Sequence, residues 1–430
     1  MVGSSSDSAD LDAAVEDARL AVAAANATDR RTSLHRLRNA LWDRYDRDEN
    51  LTDLDAAIEA ARQVVAAGPD RDPHRPMSVS NLGVLLSMRY RRSGNVTDLN
   101  AAIDAAQRAV TLMDVDDPDR LLCLFRLGDA LWERLDQSVD LVDLNAAVDI
   151  RREVVALAHP DDPDRPEYLS DLRAVLHARF DESGDVADLD AAIDAGRQSV
   201  EASSADDPDS ASRSYFLGVV LHARFERSGD VTNLDAAIGA IRESVAAIPA
   251  DDSDRPRYLS RLRDVLRDRF DQSDDVADLD AAIDAGRQSV EGTPADSRHR
   301  LGRVSNLGYA LRARLRHSGD IADLDAAIDA WREAVDGSSA DDRHRPRRIA
   351  VLAEAYRDRV RLTGQIGDDL HASHAVGWDH WYRYLKSSEQ NNEDLDNAII
   401  FFNRYFALGA GPRHSQGSSG WSGFGCVAGA

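Results

Sequence analysis

Asp188-Leu189-Asp190-Ala191-Ala192-Ile193 is one copy of a phrase that runs through most of the chain. With small variations it returns with its Leu at 11, 54, 99, 144, 189, 234, 279 and 324, a first spacing of 43 and then six of 45. Drifted copies follow at Asp369-Leu370 and Asp394-Leu395. A fixed period of this length marks a stack of supersecondary units rather than one closed core.

Residues 164–207 show how one period is filled. Asp164-Arg165-Pro166 offers an N-cap and a proline in the first turn, where its missing N–H is harmless. Tyr168, Leu169, Leu172, Val175, Leu176 and Phe180 then recur at helical spacing as one apolar stripe. Ser183-Gly184 ends this helix A, Gly being free to adopt the left-handed conformation that a helix C-terminus uses. Asp185 and Asp188 open a helix B as a cap and an early carboxylate favoured by the helix dipole. Its stripe is Val186, Leu189, Ala192, Ile193, Gly196 and Val200, and Ala205-Asp206-Asp207-Pro208 is the loop onward. Neither helix buries its stripe alone, so units must stack. The helix-A column Leu37, Leu82, Leu127, Leu172, Leu217, Leu262, Leu307 and Leu352 is predicted to lie in that stack, each truncation to Ala costing roughly 2–5 kcal/mol. The expected fold is all-α, a right-handed superhelical solenoid of antiparallel helix pairs.

Composition agrees and narrows the function. The 430 residues exceed one ordinary core, and a chain 43% apolar and 30% charged, with mean hydropathy −0.44, is globular. The net charge of −25, from 77 acidic against 52 basic residues, argues against nucleic acid, whose binders replace phosphate counterions with cations. Lys386 is the only lysine. Cys123 and Cys426 cannot make a disulfide framework, which fits a reducing compartment. Met1 to Asp10 carries no signal peptide and no apolar run has bilayer length, so a cytoplasmic location without membrane contact is expected.

The run Ser305-Asn306-Leu307-Gly308-Tyr309-Ala310, with an Ala-Ala-Ile downstream, resembles the tetratricopeptide repeat. Leu307, Gly308 and Leu311 match its helix-A core positions, and Ala327 and Ala334 its small helix-B positions. The unit departs from the usual length of about 34 residues. In this it is similar to the longer repeats that precede CHAT-type, caspase-like peptidase domains in actinobacterial proteins. Gly377-Trp378-Asp379-His380-Trp381-Tyr382-Arg383-Tyr384-Leu385 resembles the junction before such a domain. The resulting division is a disordered N-terminus at 1–9, a repeat array at 10–365, degenerate terminal repeats at 366–408 and a Gly/Ser-rich disordered tail at 409–430. The array opens on a helix B from Asp10 with no helix A before it, an incomplete unit that offers a surface for self-association.

The polar residues fall into columns. Arg44, Arg89, Arg134, Arg179, Arg224, Arg269, Arg314 and Arg359 end every helix A; a pair of the Arg179–Asp188 type maintains the stack better than it forms an anion ladder. A second column, Arg30, Arg75, Arg120, Arg165, Arg255, Arg300 and Arg345, is expected to brace loops. The acidic loops lack the central Gly and closing Glu of a calcium loop. His371, His374 and His380 lack the further ligand that zinc needs, so no metal and no cofactor is expected. No nucleophile elbow, phosphate loop or paired-carboxylate motif is present, so no catalytic residue is assigned.

The resemblance implies a concave groove lined by helix A. Five residues after each column Leu it reads Trp42, Ser87, Trp132, His177, His222, Arg267, Arg312 and Arg357, with His35, Asn39, Phe125, Asp129, Tyr215 and Tyr309 alongside. Exposed aromatics and Arg anchor interfaces. The function read from the sequence is therefore a non-catalytic scaffold for a protein or peptide partner. The alternative is the sensing arm of a CHAT-type peptidase system without its catalytic domain; a metal-dependent enzyme on the three His residues is the weakest reading.

Overall fold

A computed structural model of the chain describes residues 4–26, 29–69, 72–204 and 206–363, with scattered positions between 376 and 401. The His371/His374 pair, most of the peptidase-like junction and the tail lie outside the described residues. Among the described residues there is no strand, and the chain forms two compact units, Met1–Asp207 and Pro208–Ala430.

The first unit holds α1 (Ser4–Ala24) and four helix pairs: α2 (Arg30–Asp48) with α3 (Leu51–Ala67), α4 (Arg75–Ser93) with α5 (Val96–Thr111), α6 (Arg120–Leu135) with α7 (Leu141–Leu157), and α8 (Arg165–Ser183) with α9 (Val186–Ala202). α1 starts at Ser4, earlier than the Asp10 read from the sequence. The second unit holds α10 (Ser210–Ser228) with α11 (Val231–Ala247), α12 (Arg255–Ser273) with α13 (Val276–Glu291), α14 (Arg300–Ser318) with α15 (Ile321–Asp336), and α16 (Arg345–Thr363). Each is an all-α stack of antiparallel helix pairs.

Local chemistry sets the helix ends. Gly94, Gly184, Gly229 and Gly319 take the left-handed conformation after helix A at φ 68–72°, and Glu49 and Asp274 adopt it at the same place. At each helix-B start from Asn50 to Asp320, an Asn or Asp side chain accepts the N–H two residues on, as Asp185 does from Ala187 at 3.0 Å. The expected Asp164 cap is different. Its backbone is already helical and its side chain makes no cap bond; Asp162 Oδ1 instead accepts the Asp164 N–H at 2.9 Å. The acidic loop thus turns on its own Asx bonds, and the proline that follows has no N–H that needs an acceptor.

The repeated phrase forms the floor of the core. Its Leu is fully buried at 54, 99, 144, 189, 234, 279 and 324. The helix-A column is less uniform: Leu127, Leu172, Leu217, Leu262 and Leu352 are buried, whereas Leu37, Leu82 and Leu307 are partly so.

One residue after that column, helix A and helix B divide a single space between them. Where helix A has Gly128, Gly218 or Gly308, helix B fills the gap with Arg151, Ile241 or Trp331. Where helix A has Arg263, helix B has Gly286, and buried Arg173 and Gly196 stand at the equivalent positions of α8 and α9. Trp331 shows the result: it has no exposed surface, and its Nε1–H donates to the Ser305 carbonyl at 3.0 Å.

The arginine columns do structural work. Arg179 Nε and Nη2 donate to the Asp188 carboxylate at 2.9 and 2.5 Å, and Nη1 reaches Asn145 of the preceding pair at 3.1 Å. The same fork joins Arg44 to Asp53, Arg89 to Asp98, Arg134 to Asp143, Arg269 to Asp278 and Arg314 to Asp323. Bidentate bonds to nearly buried carboxylates favour the charged form, as the raised pKa of Arg89 shows, its bonds to Asp98 and then Asp55 being the main causes. The second column ties loops: Arg165 Nη1 donates to the Val155 and Ala158 carbonyls at 2.9 and 3.0 Å, closing the end of the preceding helix.

Candidate partner-binding faces

In the first unit the helix-A face carries two adjoining cavities over α4. One, of about 350 Å³, has small residues at its base (Ser80, Gly83 and Ser87 of α4, Ala102 and Ala106 of α5), with Trp42 and Phe125 as walls. The other, of about 270 Å³, shares Trp42, Val84 and Arg126 and adds Arg38, Asn39 and Asn81. The opening exists because Ser87 stands where α2 and α6 carry Trp42 and Trp132. Phe125 is held from behind by Tyr168, ring centroids 5.3 Å apart, and by the Arg151 guanidinium 4.9 Å from its centroid.

Of the cationic groups of the rim, Arg91 is paired with Glu133, whereas Arg126 and Arg38 have neutral partners. Arg126 Nη1 donates to Ser80 Oγ at 3.0 Å and Asn81 Oδ1 at 3.1 Å, and Arg38 donates to Asn39 Oδ1. Arg38 Nη1 is buried without a hydrogen-bond partner. Burial, then the like charge of Arg126, lowers the Arg38 pKa. His35 is likewise held below the ordinary imidazole range by burial, Arg38 and Arg31. Asp129 is turned onto Arg151 Nη2 at 2.5 Å, and the same guanidinium has Asp171 at 3.2 Å. Burial outweighs that pairing and pushes the Asp171 carboxyl up to about 6.

In the second unit a cavity of about 280 Å³ lies over α12, lined by Tyr215, Arg257, Ser260, Arg261, Asp264, His299, Gly302, Arg303 and Asn306. Tyr215 stacks on Tyr258 at 4.3 Å, and the Arg257 guanidinium lies 4.9 Å from the Tyr215 ring and 5.3 Å from the Tyr258 ring. Asp264 is the only carboxylate in the lining, and its Oδ1 is taken by Arg263 at 2.5 Å.

No protein-family model and no curated protein matches the chain. Among solved structures it is similar to a human IFIT1 dimer with PPP-AAAA, at 13% identity over 89% of this chain and 73% of that one, TM-score 0.41. It is also similar to the C-terminal part of a TPR repeat-containing protein from Cytophaga hutchinsonii (12% identity, 67% and 92% covered, TM-score 0.43). A tetratricopeptide repeat protein from Parabacteroides merdae matches at 12% identity, with 78% and 100% covered and TM-score 0.40. No site residue is carried over from any of them.

The residues singled out in the sequence divide into three groups. Trp42, Phe125 and Asp129 meet at the larger cavity, with Asn39 beside them at the smaller. Tyr215, expected on the surface, is buried yet lines the second unit's cavity. His222 and Arg312, also expected to be exposed, are buried in links between successive A helices. His222 Nε2 lies 2.7 Å from Asp268 Oδ2, and Arg312 donates to Glu354 at 2.9 Å and Asp358 at 2.6 Å. Arg267 shares Asp268 at 2.9 Å, and its bond holds that carboxyl low together with His222 against the opposing effect of burial. Tyr309 packs edge-on to Trp331 at 5.5 Å, His177 stacks on Phe180 at 6.5 Å, and Trp132 and Arg357 are half-buried. Of the three candidate zinc residues, His380 is described, and its Nδ1 lies 2.8 Å from Asp394. Among the described residues no group of His, Cys, Asp or Glu has metal-binding geometry. No helix of the described residues is long and apolar enough to cross a membrane.

Arg126, Arg257, Arg261 and Arg303 were missed as site residues, although the sequence carries a signal for two of them. Residues 165–201 and 255–291 are near-duplicates, differing at 167/257, 171/261, 174/264, 177/267, 178/268, 182/272 and 184/274. All but the last fall on helix A; 167, 171, 174, 178 and 182 follow at steps of three and four, and 177 stands three after 174, which is one face. Helix B is identical across Val186–Glu201 and Val276–Glu291, including its exposed Asp190, Asp194, Arg197 and Gln198. General surface drift would have changed both helices.

Proposed function

We propose that the chain is a non-catalytic scaffold that holds a protein or peptide partner on the exposed face of its A helices. The observation that supports this best is the pair of near-duplicate modules, which kept their core and their exposed helix-B face and changed along helix A. A side chain freed from packing changes without pattern; one in contact with a partner changes with the partner. The cavities over α4 add a physical means. An aliphatic or aromatic side chain of a partner enters between Trp42 and Phe125, where burial of apolar area contributes roughly 25 cal/mol per Å². The Asn and Arg groups of the rim offer donors to the peptide backbone.

Peptides selected by display on the immobilised full chain test this. Ser87→Trp places in the cavity the residue found at that register in α2 and α6, and Trp42→Ala removes a wall. Each is expected to weaken the selected peptides at least about tenfold, the loss of one well-packed anchor, with the unfolding midpoint of Ser87→Trp little changed. Peptides that bind both variants as tightly as the parent would remove the α4 cavities from the reading.

A further inference from the structure

The direction of change between the near-duplicate modules carries more than its location. Glu167 and Asp171 of α8 correspond to Arg257 and Arg261 of α12, a reversal of charge at two successive turns of one face. Internal packing accounts for the neighbouring changes: Asp268 meets His222, and Asp264 meets Arg263. It accounts for Arg257 in part, since its guanidinium covers the Tyr215, Phe216 and Tyr258 rings, and not for Arg261. Arg261 has no hydrogen bond or ion pair among the described residues, and the one carboxylate near Arg257 is Asp254 at 3.5 Å. Arg257 Nε and Arg263 Nη1 are buried without hydrogen-bond partners.

The facing helix adds to the imbalance. Arg303 of α14 lines the same cavity; its guanidinium is bonded to Thr293 Oγ1, a neutral partner. Burial, followed by the charge of Arg263, lowers its pKa. Three arginines thus line a cavity of about 280 Å³ whose only carboxylate is already bonded to a fourth. In a chain of net charge −25, clustering cations with so little internal compensation costs stability unless an anion completes the site.

We infer that this face of the second unit, between α10, α12 and α14, binds acidic side chains of a peptide segment, with Arg257, Arg261 and Arg303 as the carboxylate-binding groups. The inference rests on the reading of helix A as the partner face and names the partner's chemistry. A nucleic acid is the competing anion, and two observations count against it. The Tyr215 and Tyr258 rings are buried, stacked on each other and covered by Arg257, so they offer no free platform for a base. The overall negative charge repels a long polyanion at a distance, whereas a short acidic segment meets only the local field.

The experiment uses the full chain and fluorescein-labelled hexaglutamate, with hexalysine and hexauridylate as parallel probes. Hexaglutamate is expected to bind and hexalysine not to bind this site, with affinity falling as NaCl is raised from about 50 to about 300 mM. The variant Arg257→Glu/Arg261→Asp introduces the residues that the near-identical helix α8 carries at these positions, so helix formation is expected to be kept. It is expected to weaken hexaglutamate at least about tenfold, as the loss of two charge-assisted contacts requires. Trp42→Ala in the first unit should leave hexaglutamate unaffected, so failure here and failure of the α4 cavities are separate results. Hexaglutamate that fails to bind, or that binds the double variant unchanged, overturns the assignment. Hexauridylate binding tighter than hexaglutamate and lost in the double variant overturns the peptide in favour of nucleic acid.

Discussion

Replacing Gly308 by Ala sets two well-measured effects against each other. In a helix interior, Ala is favoured over Gly by about 0.8–1.0 kcal/mol. At this position, however, an added Cβ would lie 2.7 Å from Cε2 and Nε1 of Trp331 and 3.1 Å from its Cδ2. The indole cannot yield easily: it is fully buried, bonded through Nε1–H to Ser305 and flanked edge-on by Tyr309. Overpacking of a rigid site costs typically 1–3 kcal/mol, and loosening the indole hydrogen bond about 1 more. The net expectation is destabilisation by about 1–3 kcal/mol. Gly239, inside α11 with nothing within 4 Å of an added Cβ, is the control. Gly239→Ala should stabilise by roughly 0.5–1 kcal/mol. Urea unfolding followed by circular dichroism, with both variants on the same baseline, compares them directly. If Gly308→Ala proves as stabilising as Gly239→Ala, the division of space between the two helices is wrong.

The fork of Arg314 separates two carboxylates by burial. Asp323→Ala removes a side chain 7% exposed and leaves the guanidinium with Asp280 alone, so a loss of about 2–4 kcal/mol is expected. Asp280→Ala, at a carboxylate 54% exposed, should cost less than about 1 kcal/mol, and equal costs would show that the fork does not carry the helix contact. For Asp171, raised to about 6 in the fold against about 3.9 in an unfolded chain, the folded state holds its proton more tightly. Its contribution to stability is therefore full below about pH 4 and lost as the pH rises through about 6. Asp171→Asn, permanently neutral, should gain on the parent by roughly 1–2 kcal/mol at pH 8 after allowance for solvent screening, and show no gain at pH 4. A gain of the same size at both values would contradict this cause.

Much of the fold was legible because the 45-residue phrase encodes it locally. Ser183-Gly184-Asp185 contains both a left-handed helix end and the next cap, and the predicted Arg179–Asp188 pair needs only the geometry of one turn. The Asp164 cap was misread because Asx turns and helix caps favour the same residues, and the choice between them depends on backbone angles. The site was harder to read. A column at helical spacing tells which face a residue shares, not how deeply a neighbouring helix covers it. His222 and Arg312 therefore belonged to the right column and proved to be buried links. Arg257 and Arg261 needed a different comparison, one module against its near-copy, which cancels the residues that packing dictates.

The exchange of bulk between Gly and a large partner also limits how such an array can be rearranged. A crossover in the A–B turn that joined α10 to α9 would set Gly218 against Gly196 and leave a hole. The reciprocal join, α8 to α11, would force Arg173 into the space of Ile241. A crossover between pairs keeps each helix with its own complement. Joining α8 to α13 changes nothing inside helix B, because α9 and α13 are identical from Val186 and Val276 through Glu201 and Glu291. Exchange between these two modules therefore keeps each helix A with a matching helix B and moves the helix-A face as a cassette, at the cost of the His222–Asp268 and Arg151–Asp171 links between successive pairs. The helix-A face can be recombined only together with the helix B that complements it.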